Sequence, residues 1–395
     1  MMLSSVRRLA AMDVYRRAFL RGLAATGFVG LSAATAGARA DVEAGSVSVK
    51  DFGAKGDGAT NDRAAVVSAL RASKSIVFPE GDYYLGELGR SIPSTAISLR
   101  GGRIRIRSQG RVRLIVNTIE KAVTTVFGVS SVSDLFVGDF EIVDHGGDAR
   151  QKWRGAVGFM IVGQTGPSSG ISFGRVTARN LVAGILVKGR TANRVSGIRV
   201  DRLVCEDCYY GVNCQENGDD MVIGSIETTN CNRSYFVYGV TGHRVSVRSM
   251  NGAQASADCL IKRYEFDTSD IVLRYFARGT RIKAPHGLVV FEQQPGPGTG
   301  AGVIRDVSVD LDVDAEASTG YPVLFRSYTH DGKPDVNQTR NVWDRIRVSG
   351  FARTAAQAVM HAEMLPAKRG RLTVRGGLLT DRSVSDAFEV DAVDG

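Results

Sequence analysis

The chain has 395 residues, 43% hydrophobic and 23% charged, a balance that excludes an intrinsically disordered protein and allows a sizeable buried core. The formal charge of +9 points at first to a nucleic acid, but residues 1–40 carry six arginines against one acid. Without them 44 basic residues face 40 acidic ones, a net of +4 that argues against nucleic acid and is compatible with an acidic polysaccharide.

Near the amino terminus Tyr15-Arg16-Arg17-Ala18-Phe19-Leu20-Arg21 precedes a modest apolar stretch over residues 23–36 and then Ala38-Arg39-Ala40. Charged region, apolar region and small-residue cleavage site stand in signal-peptide order. The stretch is too short and too rich in Gly, Ala and Thr to cross a bilayer as a stable helix, so no membrane span is expected. Paired arginines followed by Phe-Leu resemble the twin-arginine export motif. That resemblance implies the twin-arginine translocase as a partner during export, cleavage after Ala40, and a periplasmic or secreted bacterial protein. Residues 1–40 are therefore set apart from the fold.

Residues 41–130 read as an amino-terminal cap with the first turns of a repeat. Residues 47–62 end in Thr60-Asn61-Asp62, with Thr60 and Asn61 as expected N-caps for a helix over Arg63–Ala72. Residues 76–85 then read as strand, turn and strand. The glycines here are followed by no Gly-Lys-Ser/Thr, which rejects a phosphate-binding loop.

Residues 131–395 repeat a short pattern: apolar, any, apolar, any, any, apolar. It appears at Leu135-Val137-Phe140, Ile171-Phe173-Val176, Ile198-Val200-Leu203, Met221-Ile223-Ile226, Val245-Val247-Met250, Ile271-Leu273-Phe276 and Ile346-Val348-Phe351. The central starts lie 27, 23, 24 and 26 residues apart, and each repeat carries a second apolar run, such as Ile185-Leu186-Val187 or Val323-Leu324-Phe325. Period-2 runs bounded by Gly, Asn, Asp and Ser are strands. Stacked units of this length form a solenoid, because one coil cannot bury its apolar face alone. The expected fold is all-β: a single-stranded right-handed parallel β-helix with a short amino-terminal capping helix.

The run Asp51-Phe52-Gly53-Ala54-Lys55-Gly56-Asp57-Gly58, then a helix, then Val77-Phe78-Pro79-Glu80-Gly81-Asp82-Tyr83, resembles the opening of pectate-lyase-like (pectin-lyase-like) right-handed parallel β-helix proteins. The family includes polysaccharide lyases, polygalacturonase-related hydrolases, epimerases and phage tailspikes. The resemblance implies a cap helix over the solenoid end and carbohydrate substrates, and it admits a homotrimer. It covers about forty residues by motif and fixes architecture better than chemistry.

Polygalacturonase-type hydrolysis needs paired carboxylates. Gly218-Asp219-Asp220, Gly242-His243 and Arg281-Ile282-Lys283 follow the order of that motif. Their register argues against it, since Asp219 and His243 precede the first strand of a coil rather than the second. Asp219 and Asp220 read as turn residues. Aligning the second strands instead gives a column of Lys188, Gln215, Gly239, Lys262, Phe291 and Arg326, with Glu216, Tyr238, Arg263, Tyr264 and Glu292 beside it. Such a ridge suits β-elimination of a uronate polymer, in which a cation neutralises the carboxylate and a base removes the neighbouring proton. Tyr238, Lys262 and Arg263 are the candidates for base and neutralising groups; Lys188, Gln215, Glu292 and Arg326 would bind the chain. Asp310, Asp312 and Asp314 share one strand face at a spacing that could hold Ca²⁺, which plain strand alternation explains equally well. Cys208 and Cys231 are expected on adjacent coils, where a disulfide is permitted and buried thiols are the commoner outcome. The loop over residues 294–302 is glycine- and proline-rich. The expected function is an exported polysaccharide lyase, with a polygalacturonase-related hydrolase and a non-catalytic glycan-binding β-helix as alternatives.

Overall fold

The computed structural model describes residues 45–148, 154–251, 257–283, 285–294, 302–328, 342–355, 358–363, 370–375, 378, 380 and 382–393. The expected twin-arginine segment and cleavage site, and residues 295–301 of the glycine-rich loop, lie outside them. From Val47 onward the described residues form 26 strands whose pairings are parallel, strand on strand of the next coil. The fold is a right-handed parallel β-helix, as the repeats imply.

Two ladders dominate. The first sheet stacks strands such as Ser168–Arg179, Val195–Glu206, Gly218–Thr229, Thr241–Met250 and Thr268–Arg278. The second sheet stacks Gly155–Val162, Ala183–Lys188, Tyr210–Gln215, Arg233–Tyr238, Ala257–Arg263, Gly287–Gln293 and Tyr321–Ser327. Inward columns such as Ile171–Ile198–Met221 and Phe173–Val200–Ile223 make one continuous core. Like residues stack within it: Phe127 on Phe159 at 4.9 Å between centroids, and Phe291 on Phe325 at 4.9 Å.

The helix Arg63–Ala72 forms where expected and buries Val66 and Ala69 against the first coils. Its N-cap is Asp62 rather than Thr60 or Asn61, and the Asp62 side chain makes no cap bond, being turned back onto the amides of Lys55 and Gly56 at 2.7 and 2.9 Å. Asn61 Oδ1 accepts from the Arg63 amide instead.

Two repeat assignments slip. Val245 pairs with Leu273 and Val247 with Tyr275, so His243 is the inward partner of Ile271, and Met250 is exposed. A bulge between Ile223 and Ile226 shifts this register, and a buried histidine fills the place of an aliphatic residue. Phe351, expected inside, is 56% exposed and pairs with Asp312.

The corner after Phe140–Asp144 is held by a buried polar group with several partners. The buried Asp144 carboxylate accepts from the amides of Thr118 (2.9 Å), Gly146 (3.0 Å) and Ala156 (2.7 Å), and from the Thr118 hydroxyl (2.7 Å). All five cysteines are buried free thiols, and burial pushes the Cys208 thiol up. Replacing Asp144 with Ala strands the buried amides of Thr118 and Ala156 and the half-buried amide of Gly146, so Asp144→Ala should lower stability by about 3–5 kcal/mol, read from the urea unfolding midpoint. An unchanged midpoint would contradict this role.

Candidate functional site

Strand geometry decides which side chains meet solvent. Along the second sheet, alternate residues point out, and equivalent positions on successive coils stand about 4.8 Å apart. One outward column runs Val162, Lys188, Gln215, Tyr238, Lys262, Glu292, Arg326 and Glu363. Six of the seven sequence-selected residues therefore lie on one line. The sequence alignment is corrected by one residue at two rungs: Tyr238, not Gly239, pairs with Lys262, and Glu292, not Phe291, pairs with Arg326.

Arg263 is the residue that does not join the line. It pairs with Gln293, one position past the Lys262–Glu292 rung, and so points to the other side of its strand. It is 3% exposed and lies against Gly302, where any Cβ would collide with its guanidinium. Burial lowers its basicity despite nearby Asp267.

Glu292 is the centre of the charged half. Its carboxylate receives Lys262 Nζ at 2.8 Å and Arg326 Nη2 at 2.7 Å, and its side chain is 7% exposed. Burial would raise this carboxyl, but the two flanking cations outweigh it and hold it below the usual 4.5. Lys262 also donates to Gln294 Oε1 and stands over the Tyr264 ring at 5.5 Å. Two cations thus flank one carboxylate, and Glu363 stands on the rung beyond Arg326, so the column alternates in sign.

The other half centres on Tyr238. Its phenol donates to Gln215 Oε1 at 2.9 Å and lies 3.3 Å from Glu216 Oε1. Burial first, then Glu216, push the phenol well above its ordinary value, so it is a protonated donor at neutral pH and not a phenolate base. Glu216 in turn pairs with Lys188 at 3.2 Å. Glu216 and Asn217 occupy consecutive left-handed positions, φ 45° and 57°, in the turn between Tyr210–Gln215 and Gly218–Thr229. Asn tolerates this conformation; for Glu it costs on the order of 1 kcal/mol and directs the carboxylate to Tyr238.

The chemistry of Glu216 was not legible in the sequence, because it depends on that turn. The aromatic neighbours Tyr209, Tyr210, Phe236 and Tyr264 recur at coil spacing and were a usable signal. The hydrolase-like motif is built into the scaffold. Asp219 is buried, bonded to Arg194 and to the Thr241 amide at 3.0 Å; Asp220 has φ 52°. His243 is fully buried, its Nε2 donating to the Gly218 carbonyl at 2.7 Å and its Nδ1 accepting from Tyr235 at 2.6 Å, and burial pushes it down to about 4. Of the acidic strand face, Asp312 pairs with Arg278 and Asp314 with Arg353, while Asp310 meets Ser349. Among the described residues no cluster of three or more His, Cys, Asp or Glu converges to hold a metal.

Residues 46–88 match the family described as rhamnogalacturonase A/epimerase, pectate lyase-like. No curated protein sequence matches the chain. Among solved structures, the Agl-KA catalytic domain is similar at 13% identity and a TM-score of 0.49, over 90% of this chain and 69% of that one. The A-module of a mannuronan C-5 epimerase from Azotobacter vinelandii is similar at 16% and 0.43, over 88% and 95%. The catalytic unit of an α-1,3-glucanase from Streptomyces thermodiastaticus is similar at 16% and 0.40, over 86% and 69%.

Because the Glu292 carboxyl is depressed in the fold, its contribution to stability is complete above the ordinary 4.5 and is lost as pH falls through the lowered value. Glu292→Gln should remove this part of the acid limb and, by leaving two cations facing each other, cost about 3 kcal/mol at pH 7. Unfolding midpoints of both proteins across the acid range test it; parallel curves would refute the pairing.

Proposed function

We propose that the protein is an exported carbohydrate-active enzyme that cleaves an acidic polysaccharide by β-elimination on the outer face of the second sheet. The supporting observation is that Tyr238, hydrogen-bonded to Glu216 in the adjoining turn, stands one rung from Lys262 on the ladder that continues through Glu292 to Arg326. Elimination asks for an acid, a base and a cation together.

In this reading Lys262 and Arg326 face the uronate carboxylate and stabilise the charge that develops on it. Glu216 takes the proton from the carbon beside that carboxylate. The bond from the next carbon to the glycosidic oxygen breaks, a carbon–carbon double bond forms, and the Tyr238 phenol protonates the departing oxygen. Glu216 then returns its proton to Tyr238 across their hydrogen bond. Gln215 and Lys188 fix the pair and hold the polymer. The twin-arginine pattern at Arg16-Arg17 supports delivery outside the cytoplasm. No helix among the described residues is long and apolar enough to cross a membrane.

Hydrolysis is the second reading, favoured by Glu265, a further carboxylate that acts electrostatically on Tyr238 beside Glu216. Elimination leaves a conjugated sugar absorbing at about 235 nm and hydrolysis leaves only new reducing ends. Acidic polysaccharides should yield that absorbance, and Glu216→Gln and Tyr238→Phe should each lower turnover by about 10²-fold or more. Reducing ends without the absorbance would replace elimination with hydrolysis. Retention on a polysaccharide column without either product would leave a binding protein.

A further inference from the structure

The amino-terminal end of the solenoid carries a cleft that the proposed chemistry does not use. It encloses about 590 Å³ between the helix Arg63–Ala72 and the strand Thr95–Gly101, a volume suited to a small ligand. Its walls are aliphatic: Val67 and Leu70, half-buried on the helix, and Ala96, Leu99 and Ile104, buried on the strands. Its cations are Arg71, Lys74 and Arg100, all exposed. No acid and no aromatic ring lines it among the described residues. Thr95–Gly101 is linked through Val123–Val137, Gly155–Val162, Ala183–Lys188 and Tyr210–Gln215 to Arg233–Tyr238. The cleft therefore lies five rungs from Tyr238, about 24 Å.

Local structure sorts these residues by polarity. The helix period puts Val67, Leu70 and Arg71 on one side, next to the Val66 and Ala69 that face the core. The helix ends at Ala72, and the Arg105 amide donates to the Lys74 carbonyl at 2.8 Å, which sets Lys74 beside Ile104. The turn Gly101-Gly102-Arg103 returns the chain to the same place, so Arg100 also stands near Ile104. The cations gather there, while Val67 and Ala96 lie back along their elements. Nearby, Arg103 and Arg105 share Asp134. Arg71, Lys74 and Arg100 have no such carboxylate among the described residues. Arg71 and Lys74 also suit the carbonyl end of the helix, but Arg100 comes from the strand and has no such reason. Like charges around one opening repel, and low-dielectric walls focus their field on whatever enters.

We propose that this cleft binds a single-chain amphiphilic anion of the alkyl phosphate class. The phosphate meets Arg71, Lys74 and Arg100, and the alkyl chain leaves water along Val67, Leu70, Ala96 and Leu99. A phosphate monoester carries close to two negative charges at neutral pH, which answers three cations better than the single charge of a carboxylate, and arginine pairs with it in bidentate fashion. The walls hold no ring for a sugar or a base to stack on, and Ser98 is their one uncharged polar side chain. Nothing in this site depends on the eliminating reading above.

The test is calorimetry on the purified protein with dodecyl phosphate below its micelle concentration. Inorganic phosphate serves as the head alone and dodecyl maltoside as the same chain on a neutral head. Dodecyl phosphate should bind at least about tenfold more tightly than either. Lys74→Glu combined with Arg100→Glu reverses two exposed charges and should weaken that binding about tenfold or more, with the unfolding midpoint unchanged. Ser98→Phe fills the cleft and keeps every cation, so it should weaken dodecyl phosphate by a similar factor and leave inorganic phosphate as it was. Equal affinity for inorganic phosphate would reduce the cleft to an anion patch, and equal affinity for the maltoside to an apolar one; either overturns the inference. So would dodecyl phosphate affinity untouched in both variants, or no binding at about 1 mM. Co-sedimentation with phosphatidylglycerol vesicles, without binding of soluble dodecyl phosphate, would overturn it in favour of a bilayer surface.

Discussion

Parallel, in-register stacking is the constraint from which every other property of this chain follows. A single coil presents two apolar strands and no opposing layer, so its inward residues are buried only by the coils before and behind. Once register is set, outward residues a coil apart become neighbours at about 4.8 Å. Two like charges at that distance repel by about 1 kcal/mol in water and several times more near a protein surface. Opposite charges accordingly meet from one coil to the next, across a rung or diagonally to it. Arg105 meets Asp134, Arg244 meets Asp270, Arg278 meets Asp312, and Arg353 meets Asp314.

The candidate site uses the same rule on the second sheet, with less solvent. Lys262, Glu292 and Arg326 form an alternating trio whose central carboxylate is almost wholly buried. Exposed pairs of this kind contribute little to stability, whereas a buried trio makes each member depend on the other two. The inward side of the solenoid handles polarity differently. Asp258 is fully buried and accepts from Ser234, Asn251 and Tyr275, with no cation in the set, so hydrogen bonds alone satisfy it.

Much of the fold was legible because burial on both sides of a coil repeats at a fixed interval. Ile171, Ile198 and Met221 do pair coil on coil. Legibility failed where a residue type disguised its direction. His243 is polar but faces inward among aliphatic residues, and Phe351 is apolar but faces solvent. The same disguise explains the two misplaced rungs of the ladder. Along Gly287–Gln293 every residue is buried, so Val290 and Phe291 look alike in sequence although they face opposite ways. In Phe236-Val237-Tyr238 two aromatics flank the inward valine, which hid the fact that Tyr238 belongs to the column.

Glu216 shows what no periodic pattern can carry. Of the positive-φ residues other than glycine that are described, only Ser131, Glu216 and Arg345 are neither Asp nor Asn. A glutamate gains nothing locally from that conformation, so something beyond the turn must hold it there. Its amide donates to the Tyr238 carbonyl at 2.9 Å and the Asn217 amide to the Gly239 carbonyl at 2.7 Å, which ties the turn to the next coil. Its carboxylate then meets Lys188 from the coil before and Tyr238 from the coil after. Backbone and side chain are thus fixed by different neighbours in the stack. The carboxylate keeps its aim at the phenol only while three consecutive coils stay in register, which makes this arrangement a direct product of the stacking that folds the chain.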